Sequence, residues 1–175
     1  MASGTTTKFN ATFENLPALP EEGRLSPVGT YMDISYPNFD LSNPLLAVAG
    51  LLPQGKIYIF GAGSSASPAE MTTSYTGSKI KSIALESLYY GCQTNLGQAA
   101  ASLPVACTIT ATGYRNGAVV AVQEFQFTPT NKVKAPLAFG KFKSAFTNLQ
   151  TVTYNQSPAT GTEFLLDTIV GTKQT

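Results

Sequence analysis

The clearest pattern in the chain is a strand, a turn and a second strand. Thr108-Ile109-Thr110-Ala111-Thr112 alternates polar and apolar residues, the period of a strand buried on one face. Tyr114 and Arg115 then lead to Asn116-Gly117, a dipeptide that supplies the positive φ angles of a two-residue hairpin turn. In the second arm, Ala118 to Phe127, the expected core face holds Val119, Ala121, Phe125 and Phe127. Glu124 and Gln126 belong to the other face.

Shorter patterns of the same kind fill most of the chain. Strands are expected over Thr6 to Phe13, Leu25 to Met32, Tyr36 to Phe39 and Lys56 to Phe60. Further strands are expected over Lys79 to Tyr90, Leu149 to Tyr154 and Glu163 to Val170. Eleven Pro and fifteen Gly interrupt these runs at short intervals, as turns do. No amphipathic helix and no internal repeat stands out. Gln98 to Leu103 reads as one helical turn, and Pro136 to Asn148 fits either a helix or a strand. Many short strands with Pro and Gly turns predict an all-β antiparallel sandwich or barrel.

Length and composition narrow this picture. The 175 residues suit one domain, expected over residues 8–175. Met1 to Thr7 is expected to be disordered or left over from expression. Hydrophobic residues make up 43%, too many for a disordered chain. Eleven Lys and Arg balance ten Asp and Glu, for a net charge of +1. That balance lacks the basic excess that nucleic-acid binding requires. The longest apolar run, Leu45 to Leu52, is less than half of the roughly 20 residues a membrane helix needs. Neither a nucleic-acid nor a membrane partner is therefore expected.

Other features point to an extracellular setting. Cys92 and Cys107 are the two cysteines. A bridge between them would close a loop for which chain entropy predicts roughly 3 kcal/mol. Two buried thiols are the competing reading. Asn10-Ala11-Thr12 and Asn155-Gln156-Ser157 are glycosylation sequons, placing candidate glycans on Asn10 and Asn155. A secreted chain whose signal has been removed is the expectation.

Catalytic chemistry is constrained by what is missing. The chain has no His, which removes most triads, His metal sites and His proton shuttles. Gly61-Ala62-Gly63-Ser64-Ser65-Ala66 fits a dinucleotide fingerprint. Ser67-Pro68 follows where the required helix should run, so a Gly/Ser loop is expected. Serine chemistry would have to pair Ser64, Ser65 or Ser67 with Lys79 or Lys81. The ten acids are dispersed. Glu86, inside the apolar run Ile83 to Tyr90, is the candidate acid for a hydrolase. A Tyr- and Lys-dependent lyase also needs no His. Calcium prefers oxygen ligands. Glu14 after the first strand and Asp167 in the last would meet if the terminal strands are neighbours, and they form the candidate calcium site.

Aromatic residues are the strongest binding candidates, since sugar rings stack C–H faces on them. Eight Tyr and ten Phe occur, with no Trp. Tyr31, Tyr36, Asn38 and Asp40 cluster in one segment, and Tyr75 lies in a Ser/Thr/Gly loop. Tyr89 and Tyr90 stand beside Cys92. Lys132, Lys134, Lys141 and Lys143 alternate with apolar residues, which suits a solvated strand face better than an anion site.

Six segments in order carry a family resemblance. They are Phe13-Glu14-Asn15-Leu16, Tyr36-Pro37-Asn38-Phe39, Ser87 to Cys92, Ala106 to Tyr114, Phe146-Thr147-Asn148-Leu149 and Glu163 to Ile169. Together they resemble secreted, uncharacterised ascomycete proteins with a galactose-binding-like, carbohydrate-binding-module-like β-sandwich. The resemblance implies a jelly roll with neighbouring terminal strands, a Cys92–Cys107 bridge and an extracellular life. The leading expectation is a non-catalytic protein that binds a cell-wall or host glycan at Tyr31, Tyr36, Asn38, Asp40 and Tyr75. An effector-like protein that binds a host protein is the first alternative. A polysaccharide-active lyase or hydrolase is the second, and a structural wall protein the third.

Overall fold

The computed structural model describes residues 4–16, 26–42, 51–52, 54, 58–61, 68–94 and 102–175. Every regular element among them is a β-strand. These are β1 (Thr6–Ala11), β2 (Ser26–Tyr31), β3 (Ile34–Ser42), β4 (Leu51–Leu52), β5 (Tyr58–Gly61), β6 (Ala69–Thr72) and β7 (Ser82–Thr94). They continue with β8 (Cys107–Arg115), β9 (Ala118–Phe127), β10 (Ala135–Pro136), β11 (Ala138–Lys141), β12 (Thr151–Ser157) and β13 (Thr162–Gln174). Among the described residues no helix is long and apolar enough to cross a membrane.

One antiparallel sheet runs in the order β11-β7-β13-β5-β3-β6-β12-β8-β9, with β1 added to β13 and β2 to β3. The terminal strands are therefore partners: Thr6 opposes Gln174, and Thr175 N donates to Thr5 O at 3.1 Å. The two ends of the order, β9 and β11, are brought together by side chains. Gln123 Nε2 donates to Lys141 O at 2.8 Å, and Lys143 N donates to Gln123 Oε1 at 2.7 Å. Nearby, Tyr90 OH donates to Gln126 O at 2.9 Å. The sheet is thus nearly closed. Closure matters because an open edge leaves backbone donors and acceptors unpaired.

The hairpin of β8 and β9 forms as its turn chemistry dictates. Asn116 and Gly117 have φ of 50° and 76°, the left-handed pair of a tight hairpin. Ala121, Phe125 and Phe127 face the core as expected. Val119 does not: it is 56% exposed. The pairing slips between Gly113 and Tyr114, so Tyr114 opposes Val119 and the alternation is reset near the turn. Gln123 takes a core-side position that alternation alone assigns to an apolar residue.

Two groups of rings fill the interior. Phe13, Tyr31, Tyr36, Phe39, Tyr154 and Phe164 form a chain of ring contacts with centroid separations from 5.1 to 6.3 Å. Tyr90, Phe125, Phe127, Phe142 and Phe146 form the other group, beneath the β9–β11 seam. Edge-to-face and tilted rings of this kind add stabilisation beyond their buried area. Cys92 and Cys107 are joined by a disulfide, Cα–Cα 6.1 Å, which excludes the free-thiol reading.

Several boundaries differ from the sequence expectation. The domain start expected at Lys8 falls inside β1, because Thr6 and Thr7 already pair with Gln174 and Lys173. Pro136 to Asn148 resolves into the end of β10, the strand β11 and turns, with no helix. Of Gln98 to Leu103 only Ser102 and Leu103 are described, and neither is helical. Within the Gly61 to Ala66 motif only Gly61 is described, as the end of β5. Ser64, Ser65 and Ser67 lie outside the described residues.

Candidate functional site

The outer face of β7 carries the most distinctive surface group. Phe139 on β11 opposes Tyr89 on β7, and Tyr89 in turn opposes Asp167 on β13. Opposed residues of antiparallel strands share a face, so Phe139, Tyr89 and Asp167 form one row across three strands. The Phe139 and Tyr89 rings lie 5.3 Å apart, tilted by 58°. Phe139 is 52% exposed and Tyr89 half-buried. The neighbouring Gly140 points inward: a Cβ there would meet the Phe125 ring at 2.8 Å. A side chain at 140 would lift β11 off the core, so glycine is what seats this edge and directs Phe139 outward.

Asp167 ends the row under cover, at 1% exposure. Gln54 N donates to its Oδ2 at 2.8 Å, and Thr168 Oγ1 donates to its Oδ1 at 3.0 Å. Lost hydration pushes its pKa up. The Gln54 and Thr168 hydrogen bonds oppose that rise, and the charge of Glu14 adds to it. Glu14 and Asp167 are thus close enough to interact electrostatically. Each adjoins a residue in the left-handed region, Phe13 at φ 61° and Thr168 at φ 47°. Such backbones in ring-bearing and β-branched residues are strained by about 1–3 kcal/mol and cluster at functional positions. Among the described residues no group of three or more metal-binding side chains occurs. A calcium ion here would take Glu14 and Asp167 and fill the rest of its six to eight positions with carbonyls and water.

The structure disperses the predicted tyrosine cluster. Tyr36 is 1% exposed and packs between Phe13 and Phe39, so its ring cannot receive a sugar. Burial pushes its pKa strongly up, helped by Tyr154 and Tyr31 nearby. Its hydroxyl has no hydrogen-bond partner among the described residues. Tyr31 is buried too, stacked on Phe13, with its OH donating to Asn15 Oδ1 at 2.6 Å. The reason lies at Asn38, whose φ of 59° breaks the alternation and turns both Tyr36 and Phe39 inward. Asn38 itself is exposed and donates from Nδ2 to Pro68 O at 3.0 Å. Asp40 is half-buried, and burial raises its pKa. Tyr75 is half-buried and donates to Asp33 O at 3.1 Å, beside the Lys173–Asp33 ion pair at 2.5 Å. These five residues therefore do not form one site.

The remaining candidates separate in the same way. Glu86 is exposed on β7 rather than sunk in apolar surroundings, and Lys79 and Lys81 are exposed as well. Asn10 is exposed on β1. Asn155 is half-buried on β12, with its Oδ1 buried and unpartnered among the described residues. Phe139 was not singled out by sequence; the available signal was the outward alternation of Phe139 and Lys141 around Gly140.

No family model matches the chain, and no curated protein matches it. Among solved structures, a DUF4465 family protein from Bacteroides caccae shares the fold with a TM-score of 0.61. The match covers 94% of this chain and 98% of that chain at 17% sequence identity. At that identity the likeness is one of fold.

Proposed function

We propose that this chain is a secreted, non-catalytic glycan-binding domain built as a jelly-roll sandwich of the galactose-binding type. The outward Tyr89–Phe139 pair carries the reading: two adjoining rings set at 58° to each other, with Phe139 half in solvent, offer apolar ring surface against which the C–H face of a sugar packs. The Cys92–Cys107 disulfide suits an oxidising compartment. Glu14 and Asp167 are assigned a structural cation, with calcium as the fitting ion.

Thermal melting across a panel of cell-wall glycans tests this. A ligand at about one hundred times its Kd adds roughly 2.7 kcal/mol, which moves the midpoint by several degrees. Phe139→Ala is expected to abolish the shift while leaving the unliganded midpoint nearly unchanged. A panel without any shift overturns the reading.

A second reading rests on Val119, Val120 and Val122, which are exposed together on β9 near the hairpin turn. They favour a protein partner, such as a host protein. Capture of one specific host protein, lost in Val120→Lys and indifferent to added sugars, supports this reading over the first.

A further inference from the structure

We propose that the ligand of the Tyr89–Phe139 platform is an acidic polysaccharide whose sugar carboxylates are held by lysines along the β10–β11 edge. This rests on the glycan-binding reading above and names its substrate class.

Charge is segregated on this edge. The chain as a whole is nearly neutral, yet residues 132–143 contain four lysines and no acid. No Asp or Glu occurs anywhere from 125 to 162. Lys132, Lys134, Lys141 and Lys143 are all exposed, and among the described residues none of them forms an ion pair. Four unpaired ammonium groups within twelve residues are matched by a ligand that carries repeated negative charge.

Their placement follows the platform. Lys141 lies two residues beyond Phe139 on β11, on the same outward face and about 7 Å along the strand. A sugar stacked on Phe139 therefore has an ammonium within reach of a carboxylate at its rim. Ser87 opposes Lys141 and adds a hydroxyl for the ligand's own hydroxyls. At the other end of the segment, Asn131 Oδ1 accepts from Val133 N at 2.8 Å and Lys134 N at 3.3 Å. That turn holds Val133 at 71% exposure between Lys132 and Lys134. Leu137, buried between β10 and β11, pins the middle of the segment to the body of the fold. Along the chain, lysines stand on both sides of Phe139, two before β10 and two at the end of β11 and just after it, a distribution that suits an extended polymer better than a single small anion. Three carboxylates lie near: Asp167, which is covered, Glu86, exposed beside Ser87, and Glu124, exposed on β9 next to Gln123, whose amide bonds Lys141 and Lys143. Glu86 opposes an anionic ligand, so its removal should strengthen binding.

The test measures binding of the full chain to polygalacturonate, alginate and hyaluronate by calorimetry. Each polymer is compared with its carboxyl-reduced, neutral form. At least one acidic polymer is expected to bind, with its neutral form much weaker. Raising salt from about 20 to about 200 mM should weaken binding roughly tenfold, as screening of exposed charges predicts. Lys141→Ala with Lys143→Ala should weaken it by a similar factor, Phe139→Ala should abolish it, and Glu86→Gln should tighten it. Equal binding of acidic and neutral polymers, unchanged in the lysine variant, overturns this inference and leaves the glycan reading standing. Failure of every acidic and neutral polymer overturns both. Acidic-polymer binding that survives Phe139→Ala, or tighter binding to single-stranded DNA or to phosphatidylserine vesicles, also overturns the inference.

Discussion

Gln123 on β9 and Lys141 on β11 join the two ends of the sheet through one side-chain amide. The amide donates to Lys141 O and accepts from Lys143 N, as a strand backbone would. Gln123→Leu removes both bonds and leaves two backbone groups without partners. Each such group costs about 1–3 kcal/mol, so a loss of roughly 2–6 kcal/mol is expected in urea unfolding. An unchanged midpoint would show that the seam is held by its rings alone.

The Cys92–Cys107 bridge spans a sequence separation of 15. A loop of that length stabilises the fold by about 3 kcal/mol through the unfolded state. The double variant Cys92→Ser with Cys107→Ser should fold, with a midpoint lowered accordingly. Denaturant curves of the variant and of the parent under reducing conditions should then coincide.

Tyr36 contributes a buried hydroxyl that finds no partner among the described residues. Removing an unpaired buried polar atom relieves its desolvation cost, which is about 1–3 kcal/mol. Tyr36→Phe is therefore expected to raise stability by about 1 kcal/mol, while Tyr31→Phe loses its bond to Asn15 and lowers it. Paired thermal melts of the two variants read the contrast directly.

Asp167 has a folded-state pKa raised by burial. The folded protein therefore binds this proton more tightly than the unfolded chain does. The contribution favours folding fully below the ordinary carboxylate value of about 3.9, and it is lost as pH rises through the raised value. At neutral pH the ionised side chain opposes folding. Asp167→Asn should be no less stable than the parent at neutral pH without calcium, and its stability should vary less across the acidic range. Asp40 and Glu163 are raised the same way, so only Asp167's share disappears. Added calcium should raise the melting temperature of the parent and leave the Asn variant unmoved.

What the sequence reveals depends on how local the cause is. The β8–β9 hairpin was legible because Asn116-Gly117 sets its own backbone and the flanking residues alternate. Tyr36 was misread as a surface ring because one left-handed residue, Asn38, reverses the facing of its neighbours, and composition does not announce it. Val119 was misplaced by a register slip beside the turn of its own hairpin, where Tyr114 comes to oppose it. Phe139 was overlooked because its meaning depends on Tyr89, fifty positions earlier in the chain. Its direction depends on Gly140 lying flat against Phe125. The proximity of Glu14 and Asp167 follows from the pairing of the first and last strands, which no single segment encodes.

That pairing has an architectural consequence. With Thr6 beside Gln174, the chain enters and leaves the fold at one spot. A host protein could accommodate the whole unit within a single surface loop and carry it as a pendant, without parting its own strands. Splicing it into an exposed turn of an unrelated scaffold should leave the Phe139 edge free for display.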